Sequence, residues 1–161
     1  MNSAARSRSR SAARLAAVQA LYQQEMEATP VAQLLKEFHD HRLGAMIEDA
    51  QYVDAEREFF DDVVTGVGSR CAEIDAAISG KLADGWSLAR LDRPMRAILR
   101  AGAYELLARS DVPVGSVISE YVDVAHAFYD KRESGFVNGL LDAIAKEARA
   151  AGEGTRAAPA R

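Results

Sequence analysis

The feature that most constrains this chain is a run of apolar residues at intervals of three and four: Phe60, Val63, Val64, Val67, Cys71, Ile74 and Ile78. Side chains so spaced share one face of a helix but scatter over both faces of a strand, so only a helix buries them together. The spacing predicts one long amphipathic helix from about Asp54 to Ser79, with Cys71 as a buried thiol. Gly66 and Gly68 interrupt it, each at a cost of about 1 kcal/mol relative to alanine, and close approach of a neighbouring helix would offset that cost. No stretch shows the two-residue alternation of a half-buried strand, and no internal repeat is evident.

The same period recurs on either side. Leu15, Val18, Tyr22 and Met26 mark a helix from about Arg10 to Glu27. Thr29-Pro30 then offers a capping hydroxyl and a proline for a helix that carries Leu34, Leu35 and Phe38 and ends before Gly44. Asp92 caps a helix running to about Arg109, with Met95, Ile98, Leu99, Gly102 and Leu106 inside. Pro113 closes the break at residues 110–113, because the residue before a proline avoids helix. Helices over 114–129, with Val117, Ile118, Tyr121, Val122, Ala125 and Phe128, and over 134–150, with Phe136, Val137, Leu140, Leu141 and Ile144, complete the pattern. The chain reads as all-α, with six to seven helices. The 80–92 linker divides it into subdomains of about 10–80 and 81–150, between a basic disordered arm at 1–9 and a disordered tail at 151–161.

Little in the sequence points to catalysis. A single cysteine rules out an intramolecular disulfide and a cysteine-built zinc site. His39 and His41 lie two apart and point to different sides of a helix, and His126 reads as a packed or surface residue. Gly66-Val67-Gly68 falls within a helix rather than after a strand, which excludes a phosphate-cradling loop. Asp61-Asp62 reads as a solvated face. No enzyme, metal or cofactor is expected. No apolar run reaches the ~18 residues of a membrane span, so the expected location is the cytoplasm. The arginine- and serine-rich start has the composition of a transit peptide, but it runs without a break into the first helix.

Charge is where the sequence is informative. Residues 1–24 carry Arg6, Arg8, Arg10 and Arg14 and no acid, whereas the remainder holds 16 basic and 24 acidic residues, seven of the acids within 48–62. A basic start on an acidic body suits nucleic-acid contact and equally suits a solubilising tail. Arg93, Arg96 and Arg100 form a second stripe, and Tyr22 and Phe136 could stack on unpaired bases or close the core.

These stretches, in order, resemble the NusB family of bacterial transcription antitermination factors. The resemblance runs through Arg10-x-x-x-Arg14-x-x-Ala17-x-Gln19-Ala20-Leu21-Tyr22, Thr65-Gly66-Val67 and Arg96-x-x-x-Arg100-x-x-x-Tyr104-Glu105-Leu106. It continues with Asp111-Val112-Pro113, Ile118-x-Glu120-x-Val122 and Phe136-Val137-Asn138-Gly139-x-Leu141-Asp142, and spans about residues 10–149. It implies two orthogonally packed helical subdomains and no catalysis or cofactor. It also implies binding to boxA-type single-stranded RNA of ribosomal RNA leader transcripts, together with NusE, a small-subunit ribosomal protein, in an antitermination complex with RNA polymerase.

On that resemblance Arg6, Arg8, Arg10, Arg14, Arg96, Arg100, Lys131 and Arg132 are expected to meet phosphates, with Arg10 and Arg14 exposed. Tyr22 and Phe136 are expected to stack, and Gln19 and Asn138 to bond base edges. The chain departs from the family at Gly135, where a lysine or arginine is common, and Lys131 and Arg132 stand a few residues upstream. Two other readings are a NusB-like domain of an RNA methyltransferase, for which the chain would be a fragment, and a homodimeric interaction module.

Overall fold

A computed structural model of the chain describes residues 3–44 and 53–157. Seven α-helices follow in order: α1 (Ser3–Glu27), α2 (Val31–Phe38), α3 (Val53–Ser69), α4 (Cys71–Ser79), α5 (Arg93–Ala108), α6 (Val114–Phe128) and α7 (Lys131–Ala157). A π-helical turn, His39–Leu43, extends α2, and a 3-10 turn, Leu88–Arg90, interrupts the linker before α5. No strand occurs among the described residues, and none of their helices is long and apolar enough to cross a membrane.

Helix α5 is the centre of the fold. Outside the Arg93, Arg96 and Arg100 stripe it is buried on every side, enclosing Met95, Ile98, Leu99, Leu106 and the small residues between them. A helix of that composition must be surrounded, and α5 packs against α1, α3, α4, α6 and α7. Its start is set as the sequence predicts: Asp92 Oδ1 accepts from the Met95 N–H at 3.0 Å, and a proline lies in the first turn. Its end is closed by a residue the sequence did not single out. Arg149 of α7 donates from Nε to the Leu106 carbonyl at 3.0 Å, and from Nη2 to the Arg109 and Val112 carbonyls at 3.2 Å. Carbonyls left open at a helix end are thereby satisfied.

The buried face of α1 differs from the expected one. Ala13, Ala16, Ala17, Ala20, Val18 and Leu21 are buried, whereas Tyr22 and Met26 are 38% and 49% exposed. Of the expected stripe, Val18 is buried and Leu15 packs against the core, whereas its outer end, Tyr22 and Met26, turns to the surface. Alanines let α1 lie close to its neighbours, and at close range the small residues occupy the interface. The helix also begins earlier than expected. Residues 3–9 continue α1 instead of forming a free arm, with Ser9 buried. Alanine and arginine are strong helix formers, and adding residues to a nucleated helix costs little. Likewise α7 runs from Lys131 to Ala157, beyond the 134–150 span expected. The ends of the arm and tail, residues 1–2 and 158–161, and much of the acidic stretch, 48–52, lie outside the described residues.

The single helix expected over 54–79 is two, broken at Arg70, whose backbone (φ −115°, ψ 24°) leaves the helical region. Gly66 has the packing role the sequence assigned to it. A Cβ there would fall 2.2 Å from ring carbons of Tyr104, so only glycine lets α3 approach α5 so closely. A Cβ at Gly68 would meet nothing within 4 Å. Cys71, just past the break, is half-buried rather than in the core, with Sγ 3.5 Å from Asp75 Oδ2. Pro30 occupies the N-cap position of α2, and Thr29 provides no cap.

Candidate nucleic-acid interface

Arg6, Arg10 and Arg14 recur every four residues and so share one face of α1. That face lines a cleft of about 390 Å³ whose far wall, from the α5–α6 turn and α6, carries Asp111, Ser116 and Glu120. The three arginines are held very differently. Arg14 is buried; its Nε and Nη2 donate to the two oxygens of Glu105 at 2.9 and 3.0 Å, and Nη1 lies 3.6 Å from Glu120. The fully buried Tyr121 hydroxyl donates to the same Glu105 carboxylate. Burial acts to lower the Arg14 pKa, but the hydrogen bonds and charge of Glu105 outweigh it, so the pKa is raised and the guanidinium stays charged. Burial also pushes the Tyr121 hydroxyl well up, which keeps it a donor. The expectation of an exposed Arg14 is corrected: this side chain faces inward and ties α1 to α5 and α6.

Arg10 is intermediate. It is half-buried, its Nε donates to the buried Glu56 at 2.9 Å, and its guanidinium lies 4.3 Å from the centre of the Phe59 ring. Arg14 and Arg109 approach the same ring at 5.1 and 5.2 Å, so Phe59 packs among three cations. Arg109 is anchored by Asp62 at 3.1 Å and by Asp111 at 2.9 and 3.0 Å, which pulls the Asp111 carboxyl down to about 2. Arg6 and Arg8 are exposed and make no ion pair with any described residue.

The α5 stripe lies elsewhere. Arg14 faces Glu105 and Glu25 faces Arg96, so α1 runs antiparallel to α5. Eleven residues separate Arg14 from Glu25, about 16 Å at the helical rise, so the two arginine stripes occupy opposite ends of the α1–α5 pair. Arg96 pairs with Glu25 and donates to the Leu88 and Leu91 carbonyls at 3.2 and 2.5 Å, which fixes the 3-10 turn to the start of α5. Arg100 makes a two-pronged pair with Asp75 at 2.9 and 3.0 Å and lies 3.7 Å from Glu25. Arg93, half-exposed, is 4.0 Å from Glu25, and its Nη1 is 2.7 Å from the Met26 sulfur.

The third cluster is aromatic. Phe136, expected in the core stripe of the last helix, is 39% exposed, because the buried face of α7 is Val137, Leu140, Leu141, Ile144 and Ala145. With Trp86, Tyr129, Arg90 and Arg132 it lines a groove of about 540 Å³ between the linker and the start of α7. Lys131, Arg132 and Asn138 are exposed on the same helix. A Cβ at Gly139 would touch no other atom of the chain within 4 Å, so internal packing does not require glycine there. Gln19 is half-buried on α1.

The structure adds three residues that the sequence reading passed over. Trp86, 58% exposed, was legible as a lone tryptophan in a polar linker. Glu105 and Glu56 are fully buried; a carboxylate inside an apolar stripe such as Ala103-Tyr104-Glu105-Leu106 signals a buried cationic partner. Among the described residues no three His, Cys, Asp or Glu side chains gather where they could hold a metal ion.

The described residues thus form an all-helical fold packed round one central helix, with basic edges and an exposed aromatic groove. Residues 11–146 match the model of the NusB family. A relative from Sphingopyxis alaskensis, a transcription antitermination protein NusB, is 72% identical over 144 residues, covering 89% of this chain and 97% of the relative. A protein of the same description from Novosphingobium aromaticivorans is 66% identical over 142 residues, covering 88% and 96%. Among solved structures, T. maritima NusB superposes with a TM-score of 0.72 at 34% identity, covering 86% of this chain and 91% of that one. A crystal structure of antitermination factors NusB and NusE in complex with dsRNA gives a TM-score of 0.73 at 28% identity, covering 87% and 98%. The chain belongs to the NusB family.

Proposed function

We propose that this chain is a transcription antitermination factor that acts in the cytoplasm. It binds boxA-type RNA of ribosomal RNA leader transcripts together with NusE and promotes read-through by RNA polymerase. The observation that carries this reading is its 72% identity, over nearly the full length of both chains, to a transcription antitermination protein NusB.

The geometry supports a division of labour. Arg6 and Arg8, exposed and without ion-pair partners among the described residues, meet phosphates together with the outer edge of Arg10. Lys131 and Arg132 do the same beside the aromatic groove. Phe136 supplies a stacking face there, and Tyr22 supplies another on α1. Asn138 and Gln19 offer donor and acceptor groups to base edges. Arg14 acts indirectly, by holding α1 in register.

Fluorescence anisotropy of a labelled boxA RNA, with and without NusE and against a scrambled RNA, tests the proposal. Preference for boxA that strengthens with NusE supports it. Weak binding indifferent to both sequence and partner overturns it.

A further inference from the structure

Three guanidiniums of the α5 stripe converge on one carboxylate. Glu25 pairs with Arg96 and lies 3.7 Å from Arg100 and 4.0 Å from Arg93. Asp75 is the only other carboxylate paired with this stripe among the described residues, and it holds Arg100 alone. The cluster therefore carries three positive and two negative charges. It is not sealed: Arg93 is half-exposed and the Glu25 side chain keeps a quarter of its surface in water.

The neighbours on α1 point to the kind of anion this cluster suits. Tyr22 precedes Glu25 by three residues and Met26 follows it, so both border the cluster, and both are exposed. An aromatic face beside a set of arginines is the pairing that takes one nucleotide, base on the ring and phosphate on the guanidiniums.

We propose that Arg93, Arg96 and Arg100 form a phosphodiester site in which Glu25 stands in for the phosphate, so that the chain's own carboxylate competes with RNA. The proposal rests on the RNA-binding reading above, in which the family resemblance sets Arg96 and Arg100 against phosphates, and adds to it the masking of that stripe by Glu25, at the far end of α1 from Arg6 and Arg8. Arg96 keeps its carbonyl partners and Arg100 keeps Asp75 when Glu25 loses its charge. The arginines then stay in place and only the competitor is withdrawn.

The test is Glu25→Gln, compared with wild type and with Asp40→Asn. The latter removes one carboxylate charge from an exposed pair with Lys36 on α2. Binding to boxA and to scrambled RNA is followed across a salt series. One further phosphate contact steepens the logarithmic salt slope by about 0.7, which is about five-fold tighter binding at 0.1 M salt, on both RNAs. Adding Arg93→Ala to Glu25→Gln reduces that gain.

An affinity and slope for Glu25→Gln equal to those of Asp40→Asn, with thermal unfolding confirming an intact fold, overturns the site. If Glu25→Gln does not fold, the wild-type protein decides. The Nε–H NMR signals of Arg93 and Arg96 move on saturation with boxA RNA if phosphate displaces Glu25, and unmoved signals overturn the proposal. The two readings fail separately. A gain in Glu25→Gln without preference for boxA keeps the phosphate site and sinks the boxA assignment. A boxA preference in a Glu25→Gln variant that binds neither RNA more tightly than wild type does the reverse.

Discussion

Arg14 and Arg6 differ by two helical turns of α1 and share one face of it, yet they belong to different parts of the molecule's physics. Arg14 is enclosed by α5 and α6, with both prongs on Glu105 and Tyr121 donating to the same carboxylate. Arg6 stands in water at the mouth of the same cleft. Same residue type, same spacing and opposite surroundings show that a basic stripe on a helix is not one functional unit. Its inner end fastens the helix, and its outer end remains available to a ligand.

Substitution costs most at the inner end of the α1 stripe. Arg14→Ala or Glu105→Gln leaves an uncompensated buried charge or a half-filled network. Either is expected to destabilise the protein by about 3–5 kcal/mol in chemical denaturation. Combining Arg14→Met with Glu105→Gln, which keeps an acceptor for Tyr121, should recover part of that loss. If Arg14→Ala unfolds at the wild-type denaturant concentration, the anchor reading is wrong.

At the exposed aromatic groove the effects reverse. Phe136→Ala should weaken RNA binding by about 1–3 kcal/mol, the worth of one stacked base, and leave unfolding unchanged. A drop in stability without loss of affinity would return Phe136 to the core.

Arg6→Ala is next. It should lose about five-fold in affinity at 0.1 M salt and flatten the salt slope by about 0.7, equally on boxA and scrambled RNA. Its stability should remain within about 0.5 kcal/mol of wild type.

The smallest effect concerns the rim pair. Arg109 holds the Asp111 carboxyl at about 2, below the ordinary 3.8. A depressed carboxyl contributes stability that is fully present above about pH 4 and is lost as pH falls through 2. The exposure of Asp111 keeps that contribution small. An NMR titration of its side chain placing the pKa near 3.8 would show that the pair does not form in solution.

The helical class, the caps and several boundaries were legible in the sequence. Asp92 caps α5 through Met95, and the Pro113 break ends it, because those signals act over three or four residues of the chain. The Gly66 approach was legible as well, since a glycine in a helix needs a packing reason. The break at Arg70 and the early start of α1 were not legible, because both depend on what each helix rests against.

For the candidate site the residue types were legible and their environments were not. That α1 carries a basic stripe and that α5 carries an apolar stripe beside an arginine one could be read from the chain, because composition and period are properties of the chain. It took the packing of the helices to seal Arg14 while leaving Arg6 open, and to turn Tyr22 and Phe136 to water. That packing also decided that Arg96 and Arg100 are already paired with carboxylates from α1 and α4. The reason is that a charge is defined by the dielectric and the partner it meets. For Arg14 the partner lies 91 residues away, brought within 3 Å only when α1 and α5 pack against each other.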